Sequence, residues 1–154
     1  MSHHYHGIHL DCSPSDAWAL QEAIHARRPE RVIEIGKGFG GLSAWLHDCM
    51  AAELIHPFVL LVTDSKPHNM ANYPDITCLL GEPDSAMAER AKPYLRAPTM
   101  IIVNRFLTQK DFDMWCGLAT PGQSVFAVDG SFETPTGFNK MALSESMAAF
   151  ERLD

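Results

Sequence analysis

Arg31-Val-Ile-Glu-Ile-Gly-Lys-Gly-Phe-Gly-Gly41 is the part of this 154-residue chain from which a fold can be inferred. An apolar run ends in four glycines, and apolar residues then return at helical spacing, which predicts a strand, a tight turn and a helix. Glycines allow positive φ and close approach of the backbone, and the following helix offers unpaired NH groups. The pattern is therefore typical of a turn that cradles a nucleotide. The alternative is a glycine-rich turn that binds nothing.

Strand and helix patterns alternate through the rest of the chain. Four further strands are predicted at 58–63, 76–80, 99–103 and 124–128, and helices are predicted at 13–28, 41–53, 85–95, 108–118 and 137–153. This alternation predicts an α/β fold: a Rossmann-like, doubly wound, mainly parallel five-stranded sheet with helices on both faces. In such sheets ligands bind beyond the carboxyl ends of the strands. The residues that fall there are Gly36, Asp64, Gly81, Asn104 and Asp129.

Composition limits the classes of function. A chain that is 46% hydrophobic fits one domain over 1–154, and a net charge of -7 without a basic cluster argues against nucleic acid as a partner. No signal peptide is recognised and no apolar run reaches the roughly 20 residues of a membrane span, so we expect no membrane association and a cytoplasmic location. The four cysteines lack a C-x-x-C pair and are expected to be reduced thiols.

The N-terminal segment, residues 1–12, is rich in histidine. His3, His4, His6 and His9 could together hold a transition metal, but no Cys, Asp or Glu pattern at zinc spacing accompanies them. We therefore predict no metal site there. The segment could instead fold over the cofactor cleft.

The identity of the ligand depends on the acids around the glycine turn. Gly36, Gly38 and Gly41 satisfy the dinucleotide pattern G-x-G-x-x-G, so NAD or FAD stays open. Glu34 lies near the end of an apolar strand, where a carboxylate needs a partner. Asp64 follows the second strand, where a Rossmann-like fold binds ribose hydroxyls, but it lies 28 residues after Gly36 rather than the roughly 20 of the dinucleotide pattern.

The arrangement E-x-G-x-G-x-G from Glu34 to Gly40 resembles the first motif of class I S-adenosylmethionine-dependent methyltransferases. Longer stretches resemble the cephalosporin hydroxylase and rhamnosyl O-methyltransferase group within that superfamily. These stretches are Tyr5-His-Gly-Ile-His9, Asp16-Ala-Trp-Ala-Leu-Gln-Glu22, Arg28-Pro-Glu-Arg-Val-Ile-Glu-Ile-Gly36 and Gly40-Gly-Leu-Ser-Ala44.

The resemblance implies an S-adenosylmethionine-dependent methyltransferase directed at an oxygen of a small-molecule or sugar-like acceptor. It implies that the glycine turn lines the cofactor, that Asp64 binds the ribose, and that Asp84 and Ser85 lie near the adenine. The cofactor-binding candidates are Glu34, Gly36, Gly38, Phe39, Gly40, Asp64, Ser65, Asp84 and Ser85.

The sequence departs from this group where the group holds Mg²⁺. The group carries carboxylates after its fourth and fifth strands, whereas here those segments read Val103-Asn-Arg-Phe-Leu107 and Val128-Asp-Gly130. Asn104 and Asp129, with Glu133 downstream, could still supply oxygen ligands, so Mg²⁺ stays an open alternative, but we assign no metal ligands because Mg²⁺ prefers more carboxylate than this. Asp129 is the candidate base, and Asn104 is the candidate hydrogen-bond partner of the acceptor. The predicted C-terminal helix also replaces the antiparallel hairpin usual in this fold, so an open fifth-strand edge suggests a homodimer.

Two other classes of function stay open. One is a non-catalytic protein that keeps the methyltransferase fold, with or without the cofactor, and works through protein contacts. The other is an NAD-dependent oxidoreductase, which the glycine pattern allows. Fold alone does not distinguish these from an enzyme that transfers methyl groups.

Overall fold

The computed structural model describes residues 3–36, 38–95, 98–104, 107–128 and 131–153. Its centre is a seven-stranded sheet in the order β5-β4-β3-β6-β7-β9-β8, beside a two-stranded N-terminal hairpin of β1 and β2. The strands are β1 His3–Tyr5, β2 Ile8–Leu10, β3 Arg31–Gly36, β4 Val59–Thr63, β5 Thr77–Leu80, β6 Thr99–Val103, β7 Ser124–Ala127, β8 Phe138–Ala142 and β9 Ala148–Arg152. Strands β3 to β7 pair in parallel, and β8 and β9 pair antiparallel.

Four α-helices connect the strands, and their starts follow from capping residues. The helices are α1 Pro14–Arg27, α2 Gly41–Ala52, α3 Ser85–Ala91 and α4 Gln109–Cys116, with 3₁₀ turns at Met70–Asn72 and Lys92–Leu95. The Ser13 hydroxyl accepts a hydrogen bond from the Asp16 NH at 3.1 Å, and Thr108 caps α4 in the same way. The sequence prediction of an α/β, Rossmann-like sheet is confirmed, including these helix starts.

The parallel strands are buried on both faces, so their apolar runs show no alternation. Ile33 and Ile35 of β3 pack in one apolar layer with residues of α3 and α4. Val32 of the same strand packs in the opposite layer with residues of α1 and α2. Glu34 lies on this second face, where its neighbours along the sheet are apolar. A carboxyl group in such surroundings needs hydrogen-bond partners, so these partners determine how the site is built.

The predicted helix at 137–153 is wrong, and so is the prediction of only five strands. Phe138–Ala142 and Ala148–Arg152 form an antiparallel hairpin, with β9 inserted between β7 and β8. The alanines at 148 and 149 are good helix formers, which favoured a helix at the level of sequence. In the sheet they and Phe150 are buried between two partner strands, so tertiary pairing outweighs local propensity.

The same hairpin removes the argument for a dimer through the fifth strand. That strand, β7, is paired with β6 on one side and with β9 on the other. Its edge is therefore covered within the chain, and a homodimer stays a prediction without this support. Across the described ranges, no helix combines the length and apolar character that a membrane span needs.

The C-terminal hairpin is fastened to the first helix through a buried acid. Asp16 is fully buried, and its carboxylate accepts hydrogen bonds from the hydroxyls of Ser144, at 2.5 Å, and Ser146, at 2.8 Å. These serines lie in the turn between β8 and β9. Asp16 therefore closes the capping box of α1 and holds the hairpin in place at the same time.

Removal of the Phe150 ring tests the hairpin. Phe150 is fully buried and its ring lies edge-on to Phe112, with centroids 4.9 Å apart. We expect Phe150→Ala to lower the free energy of unfolding by about 3–5 kcal/mol, since a large buried ring leaves a cavity. Met141 of β8 is 49% exposed and serves as the control. Met141→Ala should change the free energy of unfolding by no more than about 0.5 kcal/mol. If urea denaturation showed equal losses of unfolding free energy in the two variants, this arrangement would be contradicted.

Candidate cofactor site

The glycine turn, Asp64 and Asn104 lie at the carboxyl ends of the central strands. Strand β3 pairs with β4 on one side and β6 on the other, so the glycine turn after β3 lies between the ends of these two strands. Asp64 and Asn104 are the residues that follow β4 and β6. The topology therefore brings the turn, Asp64 and Asn104 together, as the sequence predicted.

Glu34 lies beneath the glycine turn and is fully buried. Its Oε2 accepts a hydrogen bond from the Ser43 hydroxyl at 2.5 Å, and its Oε1 accepts one from the Asn104 amide at 3.0 Å. Burial raises the pKa of Glu34 to about 7, the two hydrogen bonds oppose this, and the charge of Asp11 adds to it. Glu34 thus has partners on α2 and after β6, and it changes protonation near neutral pH.

Two glycines of the turn are required by this buried group. A Cβ at Gly38 would lie 2.6 Å from Oε1 of Glu34 and 2.9 Å from Nδ2 of Asn104. A Cβ at Gly36, where φ is 141°, would lie 1.7 Å from Oδ1 of Asn104. Side chains at either position would displace the carboxyl or the amide, so the backbone of the turn lies directly on Glu34 and Asn104.

The end of β4 is joined to the turn by a buried hydroxyl. Thr63 donates a hydrogen bond to the carbonyl oxygen of Gly38 at 3.0 Å and accepts one from the Ser65 NH at 3.0 Å. The Ser65 hydroxyl donates to Oδ1 of Asp64 at 3.2 Å, and both Asp64 and Ser65 are half-buried. Asp64, the residue predicted to bind the ribose, and Ser65 are therefore held beside the glycine turn.

The N-terminal segment reaches the turn from the other side. Oδ2 of Asp11 lies 3.4 Å from the Phe39 nitrogen, which donates to it, and Oδ1 of Asp11 lies 3.0 Å from Nε2 of His9. The Phe39 ring lies between two imidazoles, with centroids 5.9 Å from His9 and 5.5 Å from His68. The N-terminal segment therefore lies against the glycine turn, in agreement with the prediction that it folds over this part of the molecule.

Asp84 and Ser85 occupy the start of α3. Asp84 is its N-cap, and its carboxylate accepts a hydrogen bond from the Met87 NH at 3.0 Å. Ser85 is the first residue of the helix, and both side chains are exposed. The structure thus gives Asp84 a capping role, while their predicted position near an adenine stays a prediction.

The donor atoms in the described ranges do not fit a Mg²⁺ site. The Asn104 amide is 1% exposed, and it is turned toward Glu34 and Gly36. No group of three or more His, Cys, Asp or Glu side chains within the described ranges could hold a metal ion, and this includes the N-terminal histidines. Asp129, the predicted base, lies outside the described residues, as do Lys37 and Arg105.

Three residues of the site were not predicted from the sequence. Ser43 lies in the first turn of α2, two residues after the last glycine, and a search for hydroxyls near Glu34 could have found it. Thr63 directly precedes Asp64, so its position at the strand end was a usable signal. Asp11 had no local signal, because only the path of the N-terminal hairpin brings it to the turn.

The fold and the acid-supported glycine turn are typical of class I S-adenosylmethionine-dependent methyltransferases. The family model described as "Rhamnosyl O-methyltransferase/CmcI" matches residues 1–79 of the chain. This match spans just over half of the 154 residues, and the chain belongs to that family. The resemblance inferred from the N-terminal motifs is therefore confirmed. No curated protein sequence matches the chain significantly.

Solved structures agree with this fold. An apo structure of CmcI superposes with a TM-score of 0.77 at 16% identity, over 99% of this chain and 76% of CmcI. CmcI with Mg and SAM superposes at 0.67 and 20% identity, over 81% of this chain and 56% of that one. The MycE methyltransferase of mycinamycin biosynthesis, with Mg, SAH and mycinamycin VI, gives 0.60 at 14% identity, over 90% of this chain and 47% of MycE.

The buried acid predicts a dependence of stability on pH. The pKa of Glu34 is about 7 in the folded protein and near 4.5 as its ordinary value, so the native state holds the proton more tightly. Its contribution is therefore fully present below about pH 4.5, and it is lost as the pH rises toward 7. Relative to Glu34→Gln, which removes the charge, can still accept from the Asn104 amide and would donate to the Ser43 hydroxyl instead of accepting from it, native stability should fall by about 3 kcal/mol between pH 4.5 and 8.

Urea denaturation of both proteins across this range measures the difference directly. Comparison with the variant cancels the titration of the other groups, including His47. Glu22→Gln, a change at an exposed position on α1, serves as the control and should follow the native curve. A difference between native and Glu34→Gln that is constant with pH would refute the raised pKa.

Proposed function

We propose that this protein transfers a methyl group from S-adenosylmethionine to a hydroxyl oxygen of a small-molecule or sugar-like acceptor. The observation that carries the proposal is the glycine turn built on the buried Glu34, together with Asp64 at the end of the neighbouring strand. Family membership supports the same reaction class. The expected cytoplasmic location belongs to this proposal as well.

In this proposal, different residues around the turn bind different parts of the cofactor. Gly36, Gly38, Phe39 and Gly40 line the methionine part, because glycines in a turn allow a ligand to approach the backbone closely. Asp64 binds the ribose hydroxyls, with Ser65 orienting its carboxylate. Asp84 and Ser85 lie on the adenine side. Glu34 acts through the turn, since its oxygens already have partners below it.

The cofactor supplies an electrophilic methyl group on a sulfonium sulfur. The chain needs to align the acceptor oxygen and to receive the proton of its hydroxyl, and alignment alone can contribute several kcal/mol. Asp129, which follows the fifth parallel strand in sequence, is the proposed base. Asn104 is a positioning residue in this scheme, because its amide donates to Glu34 and holds the turn. No Mg²⁺ takes part.

A second candidate function follows from Asn104. The amide stands at one of the positions where the sequence departs from the metal-binding segments of its relatives, and the structure turns it toward the glycine turn. A protein with this arrangement can bind the cofactor without transferring the methyl group. This alternative is a non-catalytic S-adenosylmethionine-binding protein that acts through contacts with other proteins.

Titration calorimetry separates these functions. We expect the native chain to bind S-adenosylmethionine and S-adenosylhomocysteine with micromolar affinity, with and without Mg²⁺, and to bind NAD⁺ much more weakly. Asp64→Asn should weaken both cofactors about tenfold, because the ribose loses a charge-assisted hydrogen bond. Binding of NAD⁺ alone would overturn the proposal in favour of an oxidoreductase, and binding of none would favour a scaffold.

The catalytic role of Asp129 has its own test. We expect Asp129→Asn to lower methyl transfer at least 100-fold, as is usual for loss of a general base, and to leave affinity for S-adenosylmethionine nearly unchanged. Transfer of labelled methyl to methyl rhamnoside and to other hydroxylated acceptors measures the rate. Retained turnover in the variant would remove Asp129 as the base. Cofactor binding by the native protein without transfer to any acceptor would support the non-catalytic alternative.

A further inference from the structure

A carboxylate of the protein itself lies beside the glycine turn. In dinucleotide sites the NH groups of such a turn, next to a helix N-terminus, donate hydrogen bonds to a phosphate of the ligand. Here the Phe39 NH, within the turn, points to the Asp11 carboxylate at 3.4 Å. A negative group of the protein thus lies where a dinucleotide would place one of its own.

Several contacts keep Asp11 in this position. Its side chain is only 12% exposed, and Nε2 of His9 lies 3.0 Å from Oδ1. The hairpin that precedes Asp11 is fastened to α2, since the Tyr5 hydroxyl donates to Oδ2 of Asp48 at 2.8 Å. The Tyr5 ring also lies edge-on to Trp45, with centroids 5.1 Å apart. Asp11 is therefore part of the folded site, although it comes from the start of the chain.

Asp11 and Glu34 approach the same glycine from two directions. A Cβ at Gly38 would lie 3.5 Å from Oδ2 of Asp11 and 2.6 Å from Oε1 of Glu34. Two carboxylates beside the same glycine repel each other, and this repulsion is why the charge of Asp11 raises the pKa of Glu34. A second phosphate-like anion would meet the same repulsion, whereas a cationic group on the ligand would relieve it.

We propose that Asp11 is a specificity-determining residue of the cofactor site: its carboxylate replaces a nucleotide phosphate at the glycine turn and attracts the positively charged methionine end of S-adenosylmethionine. This inference rests on the proposed cofactor. It assigns to the N-terminal hairpin a share in ligand selection, in addition to covering the turn. His9 is a positioning residue in this scheme, because it holds one oxygen of Asp11.

The two forms of the cofactor provide a built-in comparison of charge. S-adenosylmethionine carries an ammonium, a sulfonium and a carboxylate and has a net charge of about +1, whereas S-adenosylhomocysteine lacks the sulfonium and is neutral overall. Asp11→Asn keeps the shape of the side chain and its capacity to accept from the Phe39 NH. We expect this variant to bind S-adenosylmethionine about tenfold more weakly and S-adenosylhomocysteine within about twofold of native, because only the net positive charge that the sulfonium supplies loses a partly screened attraction.

Titration calorimetry of the native protein, Asp11→Asn and Glu22→Gln with both ligands at low salt tests this. Glu22 is exposed on α1, so Glu22→Gln removes the same unit of charge away from the turn and should bind like the native protein. Added salt should reduce the effect of Asp11→Asn. Affinity of Asp11→Asn for S-adenosylmethionine within twofold of native would overturn the inference.

Tyr5→Phe distinguishes charge from docking of the hairpin. This variant loses the hydrogen bond to Asp48 and keeps the carboxylate at residue 11. We expect its affinities for the two ligands to keep the native ratio. If Tyr5→Phe and Asp11→Asn weakened both ligands equally, docking would explain the loss and the charge role would be overturned. Failure of the native protein to bind either ligand would instead overturn the proposed function itself.

Discussion

The site depends on one buried carboxyl group beneath a glycine turn. Glu34 occupies a position in the sheet that would otherwise be apolar, and it is tolerated because Ser43 and Asn104 donate to its two oxygens. Through these hydrogen bonds it connects β3, α2 and the end of β6. The turn has no room for side chains at Gly36 and Gly38 because it rests on this group. The glycines are therefore needed by the protein as much as by its ligand.

The N-terminal segment places a negative charge beside the turn, whereas a phosphate site would leave hydrogen-bond donors free there. Its acid, Asp11, lies against a backbone NH that would otherwise be available to an anion. Aromatic contacts of Phe39 with His9 and His68 cover the same part of the turn. The acid beneath the turn and the acid beside it give the site a negative character, which suits a sulfonium cofactor and does not suit a pyrophosphate.

Local patterns sufficed to predict the parallel sheet, the capped helices and the convergence of Gly36, Asp64 and Asn104. These features follow from signals within a few residues, such as Ser13 before Pro14 or glycines after an apolar strand. The C-terminal hairpin was mispredicted because Ala148 and Ala149 favour a helix in isolation, whereas β7 offers them a strand partner. Asp11 escaped prediction because its role arises from packing between distant segments, which spacing in the sequence does not encode. Ser43 lies only nine residues after Glu34 and was within reach of a search for nearby hydroxyls.

The bond between Asp16 and the serines of the last turn also bears on how the molecule is assembled. It joins residues 128 and 130 positions apart, and β9 enters the sheet between two strands that precede it in the chain. Contacts of such separation carry a large loop-closure entropy and form slowly. During synthesis α1 therefore waits for its partner until the hairpin of β8 and β9 has emerged, and until then the edge of β7 that β9 covers is available to other molecules.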